Sequence, residues 1–380
     1  MIAQTYLPCS ALVVIQEDTV IAVDRKGQNI LSRRAGEDDA SVIQAAIDYA
    51  RPGGEVKISA GTYRLPRSLV IDYPILLSGE GRSTVLVPPP KDFALRIAKS
   101  EQSPTRKEYV YGPDHIVDGF PDQEKRLYGV GVCKLAICGL PSGKGIYLND
   151  LVESWFKDLW IIGTHDGAAI YIDSTVMECE FQSIHCFSNG SREAEEATIV
   201  IAGQRSGDAN NNLHFNSVYV QNNNFIGVEI GKGSNRSMPR LLFFHHCMFH
   251  SWLPITNASP YDLIRITACD GSRGTVVSAS RFTHAGAEQS YIHVVQGGLR
   301  LSDCILGGGT GRYAVYAESN AQLSIHDNTF HPRQGGIASV SARGAHLSLR
   351  DNILVGPGQG FELTELASTA ISGNRFSDQV

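Results

Sequence analysis

Ionisable side chains recur through the middle of this 380-residue chain, on short stretches that are otherwise apolar. The carboxyl groups that could exchange protons with a substrate are Asp166, Asp173, Glu178, Glu180, Asp208 and Glu229. Two carboxyl groups held roughly 5–10 Å apart can divide the acid and base roles of a hydrolysis. Arg265 and His293 could instead accept a proton in an elimination. The alternative for each residue is an ordinary surface charge, and Glu229 with Arg265 could be a simple ion pair between strands.

Aromatic and imidazole rings share the same region of the sequence. They are Trp160, Tyr171, His185, Tyr219 and Tyr316. Rings on a rigid face can stack against sugars while neighbouring polar groups bind the hydroxyls. We therefore predict these five as substrate-binding residues, with a solvated strand face or a subunit contact as the alternative.

A repeat of about 24 residues positions these side chains. The phrases "SIHDNTF" (324–330), "SLRDNIL" (348–354) and "AISGNRF" (370–376) align on Asn328, Asn352 and Asn374. Ser280 and Cys304 occupy the same position in the two preceding repeats. The steps between these five residues are 24, 24, 24 and 22. The pattern continues upstream at Leu159, Ile184, Val218 and Cys247, with longer steps of 25, 34, 29 and then 33 to Ser280. The residue two positions further on is apolar in all nine repeats, which indicates a strand with one buried side.

A second strand recurs in the same repeats, for example "AIYID", "GVEIG" and "YIHVV". Units with two or three short strands and no helix cannot close a core singly, so they are expected to stack as a parallel solenoid with rungs about 4.8 Å apart. Stacking then aligns the outward positions of the second strand, which are Tyr171, Val200, Glu229, Arg265, His293 and Tyr316. It also aligns Trp160, His185 and Tyr219 on the first strand, and Ile305, Thr329 and Ile353 further downstream.

The recurring Asn or Cys is predicted to point inward at a corner between two strands. An Asn amide there can bond to the backbone of neighbouring rungs and build a ladder, while Cys247 and Cys304 fill the same position as small apolar groups. This role is architectural.

The N-terminal region predicts a cap for the solenoid. Asp39 is a candidate helix N-cap, the positions Ile43, Ala46, Ile47 and Ala50 form an apolar stripe, and Pro52-Gly53-Gly54 end the helix. Such a helix could cover the open end of the solenoid, where the core and the unpaired edges of the first strands would otherwise be exposed. The expected organisation is a hairpin lead-in at 1–35, a capping helix at 36–55 and the solenoid at 56–380.

The segments "DDASVIQAAID", "GGEVKISAGTYRL" and "ILLSGEGRSTVL" resemble the start of the pectin-lyase-like right-handed parallel β-helix superfamily. The lead-in "VVIQEDTVIAVDRKGQNI" is similar to the hairpin before this module in viral members, including phage tail spikes. The resemblance covers 10–90 by motif and 130–376 by repeat. It implies an all-β, right-handed parallel β-helix and a polysaccharide partner. The similarity to spike-type members also implies a homotrimer.

The reaction does not follow from the resemblance, because the fold hosts lyases, hydrolases, epimerases and non-catalytic adhesins. The sequence "GTHDG" (163–167) departs from the Gly-His-Gly of galacturonan hydrolases, and neither an acidic calcium cluster nor Asp-Pro-His is present. Two hypotheses stay open: a glycoside hydrolase or polysaccharide lyase, and a glycan-binding or structural spike module. Insertions near 100–128, 188–212, 231–240 and 250–262 are expected to wall a groove, since loops on a rigid stack usually carry function.

Composition limits the remaining possibilities. A net charge of −6 argues against nucleic acid as a partner. Eight cysteines without paired spacing indicate buried thiols, and we expect neither a metal nor another cofactor. The sequence shows neither a signal peptide nor a membrane span, so we expect cytosolic synthesis with a final location on a virus particle or cell surface.

Overall fold

The computed structural model describes residues 9–101, 103, 126–203, 209–233, 238–251, 261–284, 290–307, 312–331, 338–356 and 359–377. These residues form an all-β parallel solenoid with one α-helix near its N-terminus. The fold class predicted from the repeat is confirmed.

The strands have the following bounds in chain order. The N-terminal elements are β1 Ala11–Gln16, β2 Thr19–Asp24, β3 Asn29–Arg34, the helix α1 Asp39–Tyr49, β4 Glu55–Ile58, β5 Gly61–Arg64, β6 Leu69–Ile71, β7 Leu76–Ser78, β8 Thr84–Val87 and β9 Phe93–Ala98. The central elements are β10 Leu127–Tyr128, β11 Gly131–Cys138, β12 Lys144–Asn149, β13 Leu151–Val152, β14 Trp155–Ile162, β15 Ile170–Ile172, β16 Glu180–Phe187, β17 Ile199–Ala202, β18 Asn211–Gln221, β19 Val228–Lys232, β20 Arg240–His245, β21 Met248–Ser251 and β22 Ile264–Ile266. The remaining elements are β23 Thr275–Ser278, β24 Arg281–His284, β25 Ser290–Val294, β26 Gly297–Ser302, β27 Ile305–Gly307, β28 Tyr313–Ala317, β29 Ala321–His326, β30 Thr329–His331, β31 Ala338–Arg343, β32 His346–Arg350, β33 Ile353–Val355, β34 Gln359–Thr364, β35 Ser368–Ser372 and β36 Arg375–Ser377.

Two large sheets make the solenoid wall. The lateral sheet has 11 parallel strands, one per rung, and contains β6, β9, β12, β15, β17, β19, β22, β25, β28, β31 and β34. The bent sheet has 23 strands and carries two strands, or one long strand, on most rungs. The lateral sheet therefore collects the second strand of every repeat, as the repeat predicts.

The bent sheet turns at one residue per rung, and that residue adopts a left-handed backbone. The column comprises Lys134, Asp158, Ser183, Ser217, His246, Ala279, Asp303, Asp327, Asp351 and Gly373, with φ between 48° and 66°. A left-handed residue reverses the alternation of side chains and directs the following residue inward. This bend explains why a small or polar residue precedes the recurring Asn or Cys.

The inward residue after the bend forms the predicted asparagine ladder. Asn328 donates from its backbone N and from Nδ2 to Oδ1 of Asn352, at 3.1 and 3.0 Å. Asn352 repeats both contacts to Asn374, at 3.1 and 2.9 Å. Cys304 begins the ladder by donating its backbone N–H to Oδ1 of Asn328 at 2.9 Å. Each amide satisfies buried backbone groups that would otherwise be costly.

Stacked side chains fill the interior. Phe156, Phe181, Phe215 and Phe244 form one continuous stack with centroid spacings of 5.0, 4.6 and 4.5 Å. Identical side chains on successive rungs meet at close to the strand spacing, so offset ring stacking repeats along the axis. The interior is correspondingly rigid and can hold outward side chains in register.

The helix α1 closes the N-terminal end. It packs against β1, β2, β3, β5 and β6, and its predicted stripe Ile43, Ala46, Ile47 and Ala50 is buried. The strand β1 pairs antiparallel with β2 and parallel with β4, so the lead-in hairpin joins the bent sheet.

The predicted N-cap is wrong by one residue. Asp38 caps α1 by accepting from the backbone N of Ser41, whereas Asp39 lies in the first turn. Asp39 is fully buried and accepts from the backbone N of Gly36 at 2.8 Å and of Arg64 at 2.6 Å. It therefore ties the helix to the first rung.

All eight cysteines are unpaired thiols, and seven of them are buried, as the sequence predicts. The predicted insertions lie partly outside the described residues, at 104–125, 204–208, 234–237 and 252–260. Among the residues described, no helix has the length and apolar character needed to cross a bilayer. The division at residues 35 and 55 stays a prediction.

Candidate functional site

The outward positions of the lateral sheet form one column. Tyr147 pairs with Tyr171, Tyr171 with Val200, and Val200 with Glu229. The column continues through Arg265 and His293 to Tyr316. The register predicted for the six positions from Tyr171 to Tyr316 is confirmed.

The column is not a continuous open strip. Val200 is completely buried in a second apolar cluster with Ala168, Ala197, Ala202 and Ile226, against which Tyr171 and Tyr261 pack. This cluster lies on the outer side of the lateral sheet because inserted segments fold over it. It divides the column into an upstream part with Tyr147 and Tyr171 and a downstream part that begins at Glu229.

The downstream part contains a network around one buried carboxylate. Oδ2 of Asp262 lies 2.9 Å from Nε and 2.8 Å from Nη2 of Arg265, and 3.3 Å from Nδ1 of His293. Oδ1 of the same carboxylate accepts from the backbone N of Ser290 at 3.1 Å. Nε2 of His293 lies 2.8 Å from Oε1 of Glu318. A fixed imidazole thus bridges two carboxylates, one on the rung before its own and one on the rung after it.

The network perturbs the acidity of its members. Burial alone would raise the pKa of Asp262, but the hydrogen bonds and charges of His293 and Arg265 outweigh it and lower that pKa. Burial alone would lower the pKa of His293, but Asp262 and Glu318 outweigh it and raise that pKa. The arrangement therefore favours an ionised Asp262 and a protonated His293.

Glu229 lies one rung before Arg265 and is nearly buried. Burial raises the pKa of its carboxyl group, and the cations Lys232 and Arg265 only partly offset that effect. Oε2 has no hydrogen-bond partner among the described residues; Nζ of Lys232 lies 3.7 Å away. Glu229 is thus a buried carboxyl group with a raised pKa, and its Oε2 faces a cation without forming a hydrogen bond within the described part of the chain.

The upstream part of the column holds a tyrosine bound to a carboxylate. The hydroxyl of Tyr147 donates to Oδ2 of Asp173 at 2.5 Å. Burial, together with Asp173, raises the pKa of Tyr147 far above its usual value, so this phenol is a weak acid that keeps its proton. The ring stacks on Tyr171 at 6.0 Å, and the guanidinium of Arg96 lies 5.3 Å from its centroid.

The other predicted carboxylates are separated from the Asp262 network. Oδ2 of Asp166 accepts from the backbone N of Lys91 at 2.8 Å and of Gly143 at 2.7 Å, which ties together two turns. Glu178 and Glu180 are exposed at the start of a bent-sheet strand and belong to a different face. Asp208 lies outside the described residues. The catalytic roles given to these residues stay predictions.

The rings Trp160, His185 and Tyr219 form the column predicted on the bent sheet, and they stack on one another. The spacings are 5.5 Å for Trp160–His185 and 4.6 Å for His185–Tyr219, with planes within 5° and 2° of parallel. The guanidinium of Arg82 lies 4.6 Å from the ring of Trp160. Because the ring faces contact each other, only their edges can meet a sugar, and face-on stacking at this column is not supported.

The sequence reasoning did not select Asp262, Glu318 and Tyr147. A signal existed for Tyr147, because "GIYLN" (145–149) precedes "AIYID" by one 24-residue period. Asp262 ends an insertion, whereas Glu318 lies two residues after Tyr316, as Asp173 does after Tyr171. Across the described ranges, no group of three or more His, Cys, Asp or Glu side chains is placed to hold a metal ion.

Comparison with known proteins identifies the fold. No known family profile matches the chain, and no curated protein matches it by sequence. A solved structure of Geobacillus virus E2 ORF18 is similar, with 19% identity and a TM-score of 0.62, over 91% of this chain and 59% of that chain.

Two further structures share the architecture. The A-module of an Azotobacter vinelandii mannuronan C-5 epimerase has 12% identity and a TM-score of 0.59, over 90% of this chain and 95% of that one. The surface adhesin PfbA of Streptococcus pneumoniae has 10% identity and a TM-score of 0.59, over 91% and 89%. The chain thus has a parallel β-helix fold that occurs in a viral protein, an epimerase and an adhesin.

Proposed function

We propose that this protein binds a polysaccharide on the downstream part of the lateral-sheet column and cleaves it with Glu229 as proton donor. The observation that carries the proposal is the environment of Glu229: a buried carboxyl with a raised pKa, aligned with Arg265, whose Oε2 forms no hydrogen bond among the described residues and faces Lys232. The β-helix fold and the resemblance of the N-terminal motifs to the pectin-lyase-like superfamily support a carbohydrate substrate. Membership of that superfamily is part of the proposal.

The chemistry follows from protonation. A glycosidic oxygen needs a proton as its bond to the anomeric carbon breaks, and a carboxylic acid that stays protonated near neutral pH supplies it. Burial raises the pKa of Glu229 above its usual value, which is the direction that a proton donor needs. Arg265 and His293 lie one and two rungs further along the column, where they can donate hydrogen bonds to a bound sugar, and Asp262 and Glu318 balance their charges.

The roles proposed for Arg265 and His293 differ from those expected from sequence. Arg265 is held at two points by Asp262, and His293 lies between two carboxylates, so neither is arranged to remove a proton. We assign them to orienting the substrate. Tyr316 stacks on Tyr313 at 5.3 Å and extends this surface by one rung.

The test compares the wild type with Glu229→Gln on a panel of neutral and uronate-containing polysaccharides. New reducing ends without the ultraviolet absorbance of an unsaturated uronate indicate hydrolysis, and both together indicate elimination. We expect the Gln variant to lose about 10²–10⁴-fold in rate. An active Glu229→Gln variant would remove Glu229 from the mechanism.

The second candidate function is glycan binding without cleavage. It is favoured by the saturation of the Asp262 network, since Asp262, Arg265 and His293 already bind one another. The same panel separates the two functions. Retained polysaccharide without new reducing ends or ultraviolet absorbance supports the binding module and contradicts the catalytic proposal.

A homotrimer on a virus particle is also part of this proposal. Ile305 and Ile353 are 48% and 41% exposed and lie in one column through Thr329, which suits a flat subunit contact. The similarity to a viral protein motivates the location. Sedimentation of the wild type and of Ile305→Asp tests the assembly, and a monomeric wild type at micromolar concentration would contradict it.

A further inference from the structure

A broad groove of about 1060 Å³ runs along the bent sheet, on the strands that precede the bend. Its floor is formed by outward residues of β23, β26, β29, β32 and β35. It therefore lies on a different sheet from Glu229 and from the Asp262 network. No prediction from the sequence used this surface.

The groove is basic. Arg273, Arg300 and Arg350 line it, all three are exposed, and the described lining residues include neither Asp nor Glu. Within the described part of the chain none of the three guanidinium groups forms an ion pair. The neighbouring Asp270 is directed into its own turn, where it accepts from the backbone N of Ser272 and Arg273. The charge of the arginines is thus available to a ligand.

The positive groups cross the groove on a diagonal, because each successive arginine lies further along the strand direction as well as further along the solenoid axis. Arg300 on β26 aligns with Ser324 on β29 and Ser348 on β32, and Arg350 ends that same strand β32. Two rungs separate Arg300 from Arg350, a rise of about 9.6 Å at about 4.8 Å per rung. Hydroxyl and amide groups fill the space between, including those of Ser324 and Gln322. A linear polymer that carries several anionic groups matches this arrangement.

We propose that the groove binds an acidic polysaccharide, carrying carboxylate or sulfate groups, extended along the diagonal of these arginines. Planar guanidinium groups bind such oxyanions at two points, and the serines and Gln322 supply hydrogen bonds to hydroxyls. An apolar partner is disfavoured, since Phe243 is the single aromatic side chain among the described lining residues and its ring already stacks on His214 at 4.8 Å. The inference is independent of Glu229, because the two surfaces share no residue.

The experiment measures binding of the full chain to polygalacturonate, dextran sulfate and neutral dextran by calorimetry at low salt. The test variant is Arg300→Gln with Arg350→Gln. The control is Arg33→Gln with Arg34→Gln, an equal loss of charge on β3 at the other end of the solenoid. We expect the acidic polymers to bind and neutral dextran not to bind. The test variant should weaken binding by about tenfold or more, while the control changes it little.

The polymer arms identify the anion, because polygalacturonate carries carboxylates and dextran sulfate carries sulfates. Added salt should weaken both, since exposed charges are screened. Equal binding of neutral dextran, or equal weakening by the control variant, would overturn the proposal. Tighter binding of a single-stranded DNA oligonucleotide than of the acidic polysaccharides would also overturn it. The same holds if no polymer binds and the wild type is an oligomer that the two arginine substitutions dissociate. The latter outcome would assign the groove to a subunit contact.

Discussion

Asp262 and Arg265 form a two-point ion pair in which the carboxylate is buried, with Oδ2 at 2.9 Å from Nε and 2.8 Å from Nη2. The same oxygen faces His293, so one side chain from an insertion holds two outward residues of successive rungs. The downstream column is therefore a fixed electrostatic unit, and its members can be tested individually.

Replacing Asp262 with Asn should lower the free energy of unfolding by about 3–5 kcal/mol, because removing one partner leaves Arg265 and His293 without their shared counter-charge. Urea unfolding at neutral pH measures the change. The matched control is Glu365→Gln, which breaks the exposed pair with Arg343 and should cost at most about 1 kcal/mol. Similar losses in the two variants would mean that the buried network contributes no more than a surface pair.

The contribution of His293 should depend on pH with a defined sign. Its pKa is raised in the folded state, so the stabilisation is complete below the ordinary value of 6.5 and is lost as pH rises through the folded value. The difference in unfolding free energy between the wild type and His293→Gln should thus be larger at pH 6 than at pH 9. Glu318→Gln removes one of the two carboxylates and should reduce this pH dependence. A difference that grows toward alkaline pH would contradict the assigned contacts.

Glu229→Gln should stabilise the protein relative to wild type as pH increases. The carboxyl pKa is raised by burial, so ionisation costs more in the folded chain than in the unfolded one, and wild-type stability falls as pH rises above about 4.5. Gln has no charge to bury. Urea unfolding at pH 4.5 and pH 8 should show the advantage of Gln at pH 8, whereas Glu180→Gln at an exposed position should show little. An unchanged difference across this range would mean that Glu229 ionises freely.

Asn352→Ala should destabilise the solenoid by about 2 kcal/mol, because it leaves the buried backbone N–H of Asn328 without its acceptor and removes the side-chain contacts to Ile325 and Asn374. Thermal or urea unfolding measures the loss. Asn29→Ala, at an exposed position whose side chain contacts Ser32, is the matched control and should change little. Equal effects would show that the ladder is not a major source of stability.

The fold was accessible from sequence because its pattern is local and repeated. The apolar residue two positions after each aligned Asn or Cys identifies the strand, and the 24-residue period identifies the stacking, as Asn328 and Asn352 illustrate. The alignment of Glu229, Arg265 and His293 followed from the recurrence of the second strand, although insertions lengthen those repeats. The error at Asp39 arose because Asp38 and Asp39 are equally suitable caps in sequence, and the tertiary contact of Asp39 with Arg64 decides between them.

The sequence by itself determined the parallel solenoid, its asparagine ladder and the order of residues along each outward column, because strand alternation and a fixed period require only neighbouring residues. Tertiary structure decided the contacts across those columns. Asp262 reaches Arg265 and His293 from an insertion, the rings of Trp160 and His185 face each other, and Arg300 and Arg350 join one groove. Such contacts depend on how each inserted segment folds over the sheet and on how far apart the rungs hold their side chains, and neither property is encoded in the period.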